Sequence, residues 1–172
     1  MSLAPVLYSR GRNDECLTPA YAVKALVPFL LPGLTYWCPF DREDSEFVQV
    51  LRAAGFSVVR SHIEDGHDFY AYQPDRWDAI VSNPPFTRKA HIFRRALGLG
   101  KPFALLMSLT WLNDSAPKRL FRERPLELLM FEERVRFKGL GSKITFSSAY
   151  FCSGLLPHQI CLRSLKPHGF QA

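Results

Sequence analysis

This sequence has no CxxC pair, no apolar run long enough to span a bilayer, no internal repeat, no low-complexity tract and no linker long enough to divide it. Its four cysteines, Cys16, Cys38, Cys152 and Cys161, are scattered, and two lie in apolar runs where a reduced cysteine packs as a small hydrophobe. A disulfide framework is therefore not expected, and a reducing, cytoplasmic setting is. The most apolar early segment, Leu26 to Leu34, is short and broken by Pro28 and Pro32, and no charged stretch with a cleavage site precedes it, so neither export nor membrane insertion is expected. His62, His67, His91, His158 and His168 lack metal-ligand spacing and read as structural or surface residues, with no metal implied. A zinc deaminase is set aside because its H-x-E and P-C-x-x-C signature is missing.

What is present fits one compact domain of ordinary composition: 172 residues, 47% apolar and 22% charged. Residues 16–172 are expected to form it, behind a poorly ordered arm at 1–15. The net charge of +6 is unevenly spread. Residues 1–77 carry seven Lys and Arg against ten Asp and Glu, whereas residues 78–172 carry fifteen against six. An acidic half suits a cationic or hydroxyl-rich ligand and a basic half suits a polyanion such as nucleic acid.

Strands and helices alternate along the chain. Thr18-Pro19 opens a helix that Thr18 is expected to cap, and Pro28 and Pro32-Gly33 end it. Strands are expected at Leu34–Cys38, Phe56–Ser61, from Ala79, at Pro102–Leu109 and at Leu126–Phe131. Helices are expected at Ser45–Ala54, Arg88–Leu97 and Ser115–Phe121, the last capped by Asn113-Asp114. Two further strands, Ile144–Phe151 and Gln159–Arg163, have no helix between them and are expected to pair antiparallel at the sheet edge. This alternation predicts an α/β fold with a mostly parallel sheet, which binds ligands beyond the carboxyl ends of its strands.

One stretch organises the rest. Asp78 to Phe86 reads DAIVSNPPF, a short buried strand that stops at a rigid turn. Pro84 and Pro85 have no amide hydrogens to continue a ladder, while their carbonyls can accept hydrogen bonds. Asn83 adds an amide and Phe86 a flat apolar face. Two more loops follow strands in the same way, Pro39-Phe40-Asp41 and Asp65 to Phe69, and all three are expected to meet on one rim.

These residues resemble the S-adenosylmethionine-dependent amino-methyltransferases that modify adenine in DNA or RNA. DAIVSNPPF matches that family's catalytic motif, D-x-I-x-S/x-N-P-P-F/Y, in full. Thr18-Pro19 resembles the motif that closes over the methionine end of the cofactor, and Asp68-Phe69 the pair that meets its adenine. RVRF at 134–137 and FSSAYFCSG at 146–154 are similar to the late strands. The resemblance covers about residues 16–163. WCPFDREDSEFV, SHIEDGHDF and GKPFALLMSLTWLND look closest to small stand-alone methyltransferase-like proteins of phages and prophages. There are two departures. The first loop, Pro39 to Asp44, has no glycine, and Ser61-His62 replace the acidic residue after the second strand, leaving Asp41 or Asp65 for the ribose hydroxyls.

The resemblance implies a Rossmann-like class I methyltransferase fold with an antiparallel strand near the C-terminal edge. It also implies S-adenosylmethionine as cofactor, held by Thr18, Pro19, Pro39, Phe40, Asp41, Asp65, Asp68, Phe69 and Asn83. Asn83, Pro84, Pro85 and Phe86 then grip a flipped adenine, and Arg88, Lys89, Lys138 and Lys143 meet the phosphates of DNA. Three alternatives stay open: an adenine of RNA, a protein glutamine amide, and a nucleic-acid-binding protein that kept the fold without the chemistry. The oligomeric state is open as well, a dimer included.

Overall fold

The computed structural model describes residues 17–138 and 146–166. The expected arm at 1–15 and Lys143 lie outside the described residues. The seven strands are β1 (Thr35–Cys38), β2 (Ser57–Arg60), β3 (Ala79–Ser82), β4 (Phe103–Ser108), β5 (Glu127–Phe131), β6 (Ser148–Ser153) and β7 (Ile160–Arg163). They form one sheet in the order β2-β1-β3-β4-β6-β5-β7. All neighbours are parallel except at β6, which runs antiparallel to both β4 and β5.

The expected pairing of the last two strands with each other does not form. β6 inserts between β4 and β5, and β7 pairs parallel to β5. Composition explains the difference. β6 is buried at five of its six positions, apolar on both faces, and so belongs inside a sheet. β7 leaves Ile160 and Leu162 exposed and sits at the edge.

Helices cover both faces. α1 (Ala20–Lys24) and α2 (Glu46–Ala53) bury Ala22, Val23, Phe47, Val48 and Leu51 against the strand residues Tyr36, Cys38, Val81 and Leu106. α3 (Lys89–Gly98) and α4 (Ser115–Leu120) lie on the other face. There Ile92, Phe93 and Ala96 meet Trp37, Ile80, Phe103 and Leu105, the alternate residues of the same strands. Among the described residues no helix is long and apolar enough to cross a membrane.

Local chemistry sets the helix ends, not always as the sequence predicts. Ser45 caps α2, its hydroxyl accepting from the Phe47 amide at 3.2 Å. Thr18 does not cap α1, because Pro19 remains extended and the helix begins one residue later. Asp114 makes no side-chain cap on α4; its carboxylate faces Lys89 at 3.5 Å. α3 starts from Arg88, whose φ of 55° places a non-glycine residue in the left-handed region directly after the NPPF turn.

The chain order around β1 positions the site. α2 connects β1 to β2 on one face, and the α3 connection leaves β3 on the other. The strand order therefore reverses between β1 and β3, which opens a crevice at their carboxyl ends.

Candidate active site

A cavity of about 550 Å³ occupies this crevice, a size typical of small-molecule sites. Its walls come from the loops after β1, β2 and β3, closed on one side by residues 17, 18 and 138.

The β1 loop contributes Pro39, Phe40 and Asp41. Asp41 is buried, and one carboxylate oxygen accepts from the Ser45 hydroxyl at the cap of α2 while the other accepts from the Ser82 hydroxyl at the end of β3. This side chain thus joins the first loop to the strand that carries Asn83, and it holds in place a loop that has no glycine to make it compact. A second tie reinforces the first: Trp37 Nε1 donates to Ser61 Oγ at 2.9 Å across the ends of β1 and β2.

The β2 loop supplies an aromatic wall. Phe69 is buried, with its ring 4.8 Å from Phe40 and 5.5 Å from Trp37, and the Arg95 guanidinium lies over it at 5.4 Å. Asp68 is exposed, and one of its oxygens accepts from the Tyr70 amide at 3.0 Å, which folds the turn that presents both residues. Ile63, His67 and Tyr70 extend the same wall. Burial raises the pKa of the Tyr70 hydroxyl above its usual range, and the charge of Arg88 opposes that shift.

From β3, Asn83 and Pro85 line the cavity. Asn83 Nδ2 donates to Thr18 Oγ1 at 3.0 Å, a contact between residues 65 positions apart. The Thr18 hydroxyl that the sequence assigns to a helix cap therefore holds the amide of the NPPF turn. Nearby, the Lys138 amide donates to the Leu17 carbonyl at 2.9 Å and its ammonium pairs with Glu46 at 2.7 Å. The Tyr21 hydroxyl accepts from the Arg136 amide at 2.8 Å, so two stretches far apart in the chain meet over one wall.

Most of the expected residues are brought together here, but not all. Thr18, Pro39, Phe40 and Asp41 line the cavity, as do Asp68, Phe69, Asn83, Pro85 and Lys138. Pro19, Pro84, Phe86, Arg88 and Lys89 do not. Phe86 is half-buried with its ring edge-on to Phe146 at 6.0 Å, and Lys89 is engaged by Asp114. Asp65 also stays out of the cavity wall. Its carboxylate pairs with Arg60, which lowers its pKa, and Arg60 bridges on to Glu43 at 3.0 Å. Asp41, held by two serines, stays in the cavity wall, whereas Asp65 does not reach it. His62 and Ile63 line the wall as well.

Sequence reading missed four contributors. Ser45 and Ser82 hold Asp41, and His62 and His67, which read from sequence as structural or surface residues, line the cavity. His62 also has a structural role, its Nδ1 accepting from the Glu64 amide at 3.2 Å. Ser82 stands inside DAIVSNPPF, but its partner is set by which strands become neighbours; the histidines carry no spacing signal. Among the described residues no group of His, Cys, Asp and Glu is arranged to hold a metal.

The arrangement suits an elongated ligand with a flat ring at one end and charge at the other. Aromatic faces lie at the β2 end, carboxylates of Asp44, Glu46 and Asp68 stand along the wall, and an amide and a hydroxyl converge at the NPPF turn.

The chain matches no family model and no curated protein. Among solved structures it is similar to a protein from Listeria monocytogenes described as a candidate class I S-adenosylmethionine-dependent methyltransferase, at a TM-score of 0.51 and 9% identity, over 92% of this chain and 68% of that one. A second likeness is to the release-factor-specific protein-(glutamine-N5) methyltransferase of Alicyclobacillus acidocaldarius, at 18% identity over 85% of this chain and 99% of that one. Its TM-score of 0.39 carries no argument. The first likeness shows the fold, a Rossmann-like α/β sheet of the class I methyltransferase type.

Proposed function

We propose that this chain transfers a methyl group from S-adenosylmethionine to the exocyclic amine of an adenine, in DNA. The observation that carries the reading is the convergence of Thr18, Asp41, Asp68-Phe69 and Asn83 on one cavity, from four separate stretches of the chain. The Listeria neighbour described as S-adenosylmethionine-dependent supports the cofactor class.

The cavity fits that cofactor in size and in donor set. Phe40, Phe69, Ile63 and Tyr70 would hold a purine, Asp68 would accept from its amine, and Thr18 with the β1 loop would hold the amino-acid end. When bound, S-adenosylmethionine supplies an electrophilic methyl group on a sulfonium.

The chain's own residues prepare the acceptor. An adenine amine is a poor nucleophile because its lone pair is delocalised into the ring. The Asn83 amide oxygen and the Pro84 carbonyl, on a turn that prolines keep stiff, accept the two amine hydrogens and favour the geometry in which the lone pair is localised on nitrogen. One amine proton is released to solvent on transfer. Phe86 offers its ring to the base at the edge of this turn. Orientation and fixed dipoles supply the catalysis, with no covalent enzyme nucleophile. An adenine in a duplex must first leave the stack at a cost of a few kcal/mol, so an unpaired base is the better acceptor.

The test is transfer of label from methyl-labelled S-adenosylmethionine to DNA, tRNA and protein in parallel, with Asn83→Ala beside the wild type. Label on DNA adenine, lost on the order of 10²-fold or more in the variant, is expected. Label on glutamine or on RNA alone would replace the acceptor, and no cofactor binding with no label on any acceptor ends the enzyme reading.

A further inference from the structure

The cations of two stretches of this chain differ in what they touch. Around β1 and β2 the loop cations have carboxylates. Arg42 meets Glu64 at 2.8 Å, Arg60 joins Glu43 and Asp65, Arg52 joins Glu43, and Lys138 meets Glu46. Residues 88–124 are different: nine Lys and Arg stand against two acids, a balance of +7 within a chain of net +6. Four of the nine are committed to this chain, Lys89 to Asp114, Arg95 to the Tyr72 carbonyl, Lys101 to the Trp77 carbonyl and Arg124 to the Leu97 carbonyl. Arg94, Lys118, Arg119 and Arg122 are exposed and make no ion pair among the described residues.

These four belong to the two helices that cover one face of the sheet and to the turn just past the second. α3 and α4 share a core in which Phe93 meets Trp111 at 4.5 Å and Phe121 at 6.1 Å, so the helices lie side by side with their polar sides outward. Arg94 stands on α3, which is about 15 Å long and begins directly after Arg88 and the NPPF turn; Lys118 and Arg119 stand on α4 and Arg122 just past it, and together they make a basic strip. A solubilising surface would intersperse both signs; here Asp114 is paired and Glu123 is the one other acid in the segment. We propose that this strip docks the phosphodiester backbone of a single nucleic-acid strand and leads it to the cavity mouth. The role of the cavity rests on the function proposed above; the strand-binding surface stands independently of it. Four uncommitted cations allow about four phosphate contacts.

The experiment measures binding of a fluorescent 20-nucleotide single strand against salt concentration, for the wild type and for a variant combining Arg94→Gln, Lys118→Gln, Arg119→Gln and Arg122→Gln. None of these four lines the cavity. Losing four phosphate contacts makes the slope of log K against log salt shallower by about 2.8, at about 0.7 per contact. A control with Lys24→Gln and Arg134→Gln, exposed cations outside the strip, keeps the wild-type slope. Methyl transfer to a free adenine nucleoside, which needs no strand, stays unchanged in the four-site variant.

A variant that melts like the wild type and keeps its slope overturns the proposal, as does competition by polyglutamate equal to that by DNA at matched charge. Tenfold tighter binding of a duplex overturns the assignment to a single strand. The two readings fail separately. Wild-type protein that binds with the expected slope and labels no acceptor loses the proposed chemistry but keeps the surface. Protein that labels DNA while the variant's slope is unchanged loses the surface and keeps the chemistry.

Discussion

Two side chains decide how the NPPF turn is held, and each makes a separate prediction. Asp41 is the costliest to remove, because it is buried and accepts from two hydroxyls. Asp41→Ala leaves Ser45 and Ser82 without that acceptor and is expected to destabilise the fold by about 1–3 kcal/mol, read by urea unfolding. Asp41→Asn keeps the shape and one acceptor oxygen and should lose less. Thr18 acts through Asn83, so Thr18→Val should lower kcat more than it raises KM for the cofactor, and Thr18→Ser, which restores the hydroxyl, should recover most of the loss. An equal loss in the serine variant would show that the methyl group, not the hydroxyl, matters. The motif residues of this site were legible because their chemistry is written in adjacent positions, as in DAIVSNPPF. Ser45, Ser82 and His62 were not, because their meaning depends on which strands become neighbours.

Two loops near the rim form a unit through one cation. Arg60 at the end of β2 holds Glu43 of the first loop and Asp65 of the second, and Arg52 shares Glu43. Hydrogen bonds from these guanidiniums lower both carboxylates below their ordinary pKa. The sign follows from that direction. The contribution is present above the ordinary carboxylate range, near pH 4, and is lost as pH falls through the lowered values. Protection of the amides of residues 63–66, taken as the exchange rate relative to the intrinsic rate at each pH, should therefore fall in the wild type as pH drops below about 4. Arg60→Gln should show fast exchange there at neutral pH, with little change in melting temperature because the ion pairs are exposed. Exchange equal to that of the wild type would remove the bridge from the account. Gly66, at φ 80°, closes the short turn that carries Asp65, and Gly66→Ala should cost about 1 kcal/mol by chemical denaturation. The elements themselves were readable from spacing, since Phe47, Val50 and Leu51 repeat at helical intervals and β3 is a short apolar run. The helix starts were less so, since Thr18 and Asp114 have the chemistry of caps and are drawn away by Asn83 and Lys89.

At the scale of the whole molecule, alternation of strands and helices was enough to predict a mostly parallel sheet with its site at the carboxyl ends of the strands. It could not place β6, whose neighbours are chosen by burial on both faces and not by order along the chain. If the cavity takes S-adenosylmethionine, the cofactor at about 100 times its dissociation constant should add roughly 2.7 kcal/mol of stability, visible as an upward melting shift. Asp41→Ala should show less of it. The position of β6 also sets a timetable for the chain as it is made. β2, β1, β3 and β4 can assemble from residues 35–108, but β5 has no place beside them until β6 has formed between it and β4. At about 5–20 residues per second, a ribosome needs about 1–4 s to add the stretch from Phe131 to Ser153. For that interval the apolar segment ELLMF waits without a partner, a natural landing place for a chaperone. Chains stalled with Phe131 outside the ribosome but Ser153 still within it should be cut by protease near this segment, and chains released past Arg163 should resist.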